Sequence, residues 1–180
     1  MANESNDRSL FLYEEVNMES VRNVSEEIIK FNKEDNKKEK KEIGFERQPI
    51  CLYINSPGGS VYSMWGLIDL IQTSKTPVHT YCMGYAMSAA FNIFLAGKKR
   101  FAHRHSTFMY HQLSSWTYSK LKEMEDDIKE CGRLDKMIVD YVKSRTNIPA
   151  KKLEEIHEKK LDFYMDVDYA LKHGIVDEIL

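Results

Sequence analysis

Two turns between apolar segments carry the residues best suited to chemistry: Asn55-Ser56-Pro57-Gly58-Gly59-Ser60 and Gly84-Tyr85-Ala86-Met87-Ser88. Each reads as a strand-to-helix turn that leaves backbone N–H groups free at a helix N-terminus, where anions bind. Such donors suit a phosphate, or the oxyanion formed when a serine attacks a carbonyl. Neither turn matches a Walker A loop or a dinucleotide-binding glycine pattern. Ser88 opens an apolar helix and reads either as a nucleophile or as a helix-start serine satisfied by local backbone. His111 closes the alternating run Met109-Tyr110-His111-Gln112 and reads either as a general base or as a satisfied strand-end histidine. His79, His103, His105, His157 and His173 stand beside no candidate nucleophile. His103 and His105 suggest a metal pair, but no carboxylate or cysteine stands near to complete it, so neither metal nor other cofactor is expected. A serine nucleophile needs a neighbouring base, and the base a third group that fixes its tautomer. Residue types and spacing leave open whether such groups meet.

The elements that must position these residues alternate. Residues 10–13 read as a strand, and Asn17 caps a helix of about a dozen residues with Val21, Val24, Ile28 and Phe31 on one face. Residues 32–42 carry mixed charge without interleaved aromatics, which predicts a solvated loop, with or without a helical extension, rather than a basic contact patch. Residues 50–54 form a strand, and Ser60 caps a helix with Val61, Met64, Leu67, Ile68 and Ile71 facing inward. Residues 78–82 make the next strand, Gly84 opens the second turn, and residues 87–95 form an apolar helix. Short strands follow at 100–102 and 107–110. A long helix over about 116–144 shows the stripe Leu121, Met124, Ile128, Cys131, Leu134, Ile138 and Tyr141, which suits burial or contact with a neighbour. Two short helices, from Pro149 and over 166–173, and a strand at 175–176 end the chain. This alternation predicts an α/β fold in one domain spanning 1–180, with a polar tail at 1–9.

Composition narrows the function. Net charge is −2, which gives no electrostatic reason to expect nucleic acid or an anionic membrane as partner. The three cysteines, Cys51, Cys82 and Cys131, suggest no disulfide framework, and a reducing cytoplasmic setting fits. No apolar signal core or membrane-length run is present, so a soluble protein is expected.

The run Leu52-Tyr53-Ile54-Asn55-Ser56-Pro57-Gly58-Gly59-Ser60-Val61 resembles the glycine-rich segment of the proteolytic subunit of the Clp protease family almost letter for letter. The segment Gly84 to Phe91 stands where that family has Gly-Met-Ala-Ala-Ser-Met-Gly-Ala, and Met109-Tyr110-His111-Gln112-Leu113 where it has Met-Ile-His-Gln-Pro. Asp162 precedes a segment similar to the one after the family's aspartate. The resemblance runs from about Leu10 to Leu180. It implies a crotonase-like fold of repeated β–β–α units, with the long helix as a protruding handle. It implies a serine endopeptidase with Ser88 as nucleophile, His111 as base, Asp162 as orienting carboxylate, and the Gly59 and Ala89 N–H groups as oxyanion hole. It further implies peptide or unfolded-protein substrates, seven-membered rings that stack, and an AAA+ unfoldase as partner.

The chain also departs from that pattern. It starts close to its first strand, which implies a reduced axial-loop segment and bears on unfoldase coupling. The 32–48 connection is longer than usual, and Ala90 replaces a glycine. Leu113 to Tyr118 replaces a proline and glycine-rich stretch, with bulky Trp116 and Tyr118 beside the expected substrate path. Lys160-Leu161 stands where an Asp-Arg pair commonly links the rings, which implies a single ring or another assembly. Competing functions are a phage-type capsid-maturation protease, an inactive structural subunit, and an acyl-CoA enzyme on the same fold.

Overall fold

The computed structural model describes residues 7–115 and 120–180. Among them, seven strands form one sheet with a parallel path of five. β1 (Ser9–Leu12) pairs with β2 (Ile50–Ser56), β2 with β3 (Val78–Met87), β3 with β4 (Arg100–Ala102), and β4 with β7 (Glu178–Ile179). β3 is long enough to serve two ladders. Thr80 to Cys82 pair with β4, and Tyr85 to Met87 pair with β5 (Thr107–Tyr110). β5 then pairs antiparallel with β6 (Phe163–Met165).

The strand residues alternate as a half-covered sheet requires. Ile50, Leu52 and Ile54 are fully buried beneath α1 (Met18–Glu39), α2 (Val61–Thr73) and α3 (Ala89–Leu95). On the opposite face Phe11, Tyr53, Tyr81 and Phe101 stack in a row across four strands, with successive centroids 5.4, 4.8 and 4.7 Å apart. Asn17 caps α1, accepting from the N–H groups of Glu19 and Ser20, and Ser60 caps α2 through the N–H of Ser63. The C-terminal third of the chain supplies α4 (Leu121–Arg145), α5 (Ala150–Lys159) and α6 (Val167–Lys172). None of the described helices is long and apolar enough to cross a membrane.

Several expectations need correction. Residues 32–39 take the helical extension rather than the loop: α1 continues to Glu39 and is 22 residues long. Phe31 and Asp35, four residues apart, both face inward, and Asp35 receives hydrogen bonds from Arg8 and from Thr76 (2.7 Å). Tertiary pairing thus holds a charged stretch helical. β3 does not stop at Cys82. It passes through Gly84, whose φ of +155° lets the backbone lie against Asn55, where a β-carbon would meet Asn55 Oδ1 at 2.7 Å. The turn itself comes later, at Ser88. The last strand is Glu178–Ile179 rather than 175–176: the N–H groups of Ile175 and Val176 are taken by the Ala170 carbonyl. β6 was not anticipated. α4 begins at Leu121 after an extended Lys120, and positions 116–119, where an earlier start and the bulky Trp116 and Tyr118 were expected, lie outside the described residues.

The stripe on α4 divides. Leu134, Ile138 and Val142 are buried against the body, whereas Leu121 and Ile128 are 77% and 69% exposed.

Candidate active site

Ser88 sits between β3 and α3 at φ 54°, ψ −121°. That is a costly conformation for a residue with a β-carbon, and it persists only when its surroundings over-determine it. They do so here. The Ser88 N–H donates to the Met109 carbonyl at 2.9 Å. The Ser88 carbonyl accepts from the Asn92 backbone N–H at 3.3 Å and from Asn92 Nδ2 at 3.2 Å. The Pro57-Gly58-Gly59 turn packs directly on this corner. At Gly58, with φ +100°, a β-carbon would lie 2.8 Å from Ser88 Cβ and 2.9 Å from the Ala89 nitrogen. Only glycine fits that contact.

A sharp strand-to-helix turn lifts the hydroxyl out of the sheet. Ser88 makes no side-chain cap to α3. Its Oγ lies 2.7 Å from His111 Nε2 instead. Local backbone therefore does not satisfy this serine; a residue from the neighbouring strand end does. His111 follows directly on β5, whose ladder to β3 runs in register with the strand that delivers Ser88.

Asp162 comes from the connection between α5 and β6. Lys160 ends α5 in the left-handed conformation, the Leu161 N–H donates to the Ile156 carbonyl, and the chain turns back toward His111. His111 Nδ1 and Asp162 Oδ1 are 3.7 Å apart, near enough to attract but longer than a hydrogen bond. Asp162 is 61% exposed at its side chain and His111 21%.

A cavity of about 50 Å³ opens beside the hydroxyl. Gly59, Ser88, Ala89 and His111 line it, together with polar Asn92 and Ser114 and apolar Val61, Met64 and Ile138. Gly59 and Ala89 thus flank the same space as the nucleophile candidate, and Ala89 opens α3, where the first N–H groups lack intrahelical partners. Chemically, the arrangement can lower the barrier to serine attack on a carbonyl. It combines a hydroxyl, an acceptor within proton-transfer distance, a carboxylate beyond it, and donors beside a small hollow of mixed polarity.

Two further residues adjoin the site without having been singled out. Asn92 braces the Ser88 carbonyl one turn into α3, and helical spacing could have pointed to it. Tyr110 is buried beside His111, and its hydroxyl meets His157 Nε2 at 2.8 Å. Burial, and secondarily the charge of Asp135, pushes that hydroxyl's pKa far above its ordinary value. No spacing signal links Tyr110 to His157, because they belong to different elements.

The family model described as Clp protease matches residues 2–180. The chain is 32% identical to the ATP-dependent Clp protease proteolytic subunit 2 of Bacillus licheniformis, over 97% of this chain and 86% of that one. It is 35% identical to the ATP-dependent Clp protease proteolytic subunit of Deinococcus radiodurans, over 74% of this chain but only 65% of the relative's length. A solved structure of a ClpP1 mutant from Listeria monocytogenes superposes with a TM-score of 0.81 at 26% identity, covering 97% of this chain and 92% of that one.

Proposed function

The chain belongs to the Clp protease family of serine peptidases, and from that premise we propose that it cleaves peptide bonds with Ser88 as nucleophile, His111 as base and Asp162 as orienting carboxylate. The observation that carries this reading is the 2.7 Å approach of His111 Nε2 to the hydroxyl of a strained, uncapped serine.

In this mechanism His111 Nε2 takes the Ser88 proton as Oγ bonds to the peptide carbonyl carbon. The oxyanion is held by the N–H groups of Gly59 and Ala89, each such donor contributing about 3 kcal/mol. The tetrahedral species collapses as His111 returns the proton to the departing amine. Water, deprotonated by the same imidazole, then releases the acyl group. Asp162, 3.7 Å from Nδ1, stabilises the imidazolium and favours Nδ1 as the protonated nitrogen.

The relatives' names, "ATP-dependent" and "proteolytic subunit", support a further reading. The chain works on peptides and unfolded proteins inside a ring of seven copies served by an AAA+ unfoldase. The exposed half of the α4 stripe suits contact with another copy, and the aromatic row from Phe11 to Phe101 offers an apolar face to a partner. Lys160-Leu161 in place of a linking Asp-Arg pair weakens ring stacking. The free cysteines Cys51, Cys82 and Cys131 fit a reducing cytoplasm.

Fluorophosphonate labelling with intact mass and peptide mapping tests the site. A single adduct on Ser88 is expected. Labelling elsewhere, or none in any oligomeric state, sinks this assignment.

A further inference from the structure

Beyond Tyr110 the ladder that holds β5 stops: its last partners are Met109 with Met87 on β3, and Tyr110 with Phe163 on β6. His111 and the residues after it therefore leave the sheet just where a catalytic imidazole needs a fixed backbone. A chain of polar groups takes over. The Tyr110 hydroxyl lies 2.8 Å from His157 Nε2 on α5. His157 Nδ1 lies 3.2 Å from Asp135 Oδ2 on α4. Asp135 Oδ1 accepts the Leu113 backbone N–H at 2.9 Å. The relay starts on the residue before His111 and ends two residues after it.

We propose that His157 and Asp135 are positioning residues for the peptidase reaction: they clamp the segment 110–113 from both flanks and so hold His111 against Ser88. The inference rests on the reading of His111 as base. Its chemistry is self-consistent with a neutral imidazole. With the proton on Nδ1, which faces Asp135 Oδ2 at 3.2 Å, Nε2 accepts from the Tyr110 hydroxyl, and the other carboxylate oxygen takes the Leu113 N–H. Tyr110 is 1% exposed, and its elevated pKa keeps it a donor. The clamp also joins the handle helix to the site. Asp135 is next to Leu134, on the buried half of the stripe, so a shift of α4 reaches the Leu113 backbone, two residues from His111, through one side chain. Misplacing a catalytic group by about 1 Å costs on the order of a hundredfold in rate.

The test compares Asp135→Leu with Asp135→Asn, which keeps an oxygen acceptor, and His157→Leu with His157→Gln. The readouts are kcat and KM on a chromogenic peptide and amide hydrogen exchange at Leu113. In both Leu variants kcat is expected to fall about thirtyfold with KM changed less than about threefold. In Asp135→Leu, Leu113 exchange is expected to quicken at least about tenfold, and Asp135→Asn to restore most of both losses. Unchanged Leu113 exchange in Asp135→Leu, or an Asn variant as impaired as the Leu one, overturns the clamp. If the Leu variants do not fold, Tyr110→Phe decides. A loss of about threefold or more in kcat at unchanged Tm supports the proposal, and wild-type kcat overturns it. A wild-type protein without hydrolysis would overturn the peptidase reading, and Leu113 exchange would still judge the clamp separately.

Discussion

Two histidine–aspartate pairs flank one short segment and differ in how far they are closed. His157 and Asp135 are 3.2 Å apart with side chains 17% and 19% exposed, and every polar end has a partner. His111 and Asp162 are 3.7 Å apart, and the carboxylate is 61% exposed. Only the open pair reaches a serine. The difference fits the work proposed for each. A pair that holds backbone gains from exclusion of water, which strengthens its interactions. A pair that exchanges protons with a substrate must leave room for it. The open pair also gives Asp162 a weaker hold on the imidazole, because a solvated carboxylate acts through a high dielectric.

The largest break in this comparison is His111→Ala. It removes the open pair and the proposed proton acceptor together. The expected loss in kcat is on the order of 10⁴-fold or more, with assembly by sedimentation unchanged. A smaller loss than for Asp162→Asn would reverse the order of importance argued here.

Asp162→Asn sharpens the comparison. Because the carboxylate is exposed and stands off from Nδ1, its expected loss is about a hundredfold, well short of the His111→Ala loss. A loss equal to that of His111→Ala would mean that the pair closes fully in the working assembly.

The smallest effect on catalysis lies at a third pair, more closed than either. Burial raises the Asp35 pKa, but hydrogen bonds from Arg8 and Thr76 outweigh it and hold the carboxyl below its ordinary 3.8. A carboxyl depressed in the folded state stabilises fully above its unfolded pKa, and that contribution disappears as pH falls through the lower folded value. Melting temperature followed by circular dichroism should therefore drop as pH falls below about 4, and Asp35→Asn should remove part of that slope. An unchanged slope in Asp35→Asn would show that other carboxylates govern acid stability.

Much of this was legible in the residues themselves. The Ser60 cap and the apolar spacing of Met64, Leu67, Ile68 and Ile71 predict α2 directly, since both are local rules. The glycine-rich turn, Ser88 and His111 are recognisable from motifs, and the structure brings Ser88, His111, Gly59 and Ala89 around one cavity. Whether residues 32–39 were loop or helix stayed open because their inward residue, Asp35, is held by Arg8 and Thr76, both distant in the chain. The last strand was misplaced because Ile175 and Val176 are as apolar as strand residues but are spent on a turn at Ala170.

Local periodicity thus determined the α/β class, and the resemblance of three motifs in order pointed to the family and to the serine and histidine to examine. Only the tertiary structure decided which half of the α4 stripe is buried, how far Asp162 stands from His111, and that His157 belongs to a second pair. Local rules act over a few residues along the chain. The relay from Tyr110 through His157 and Asp135 to Leu113 joins a strand, two helices and a loop, and only packing brings those together.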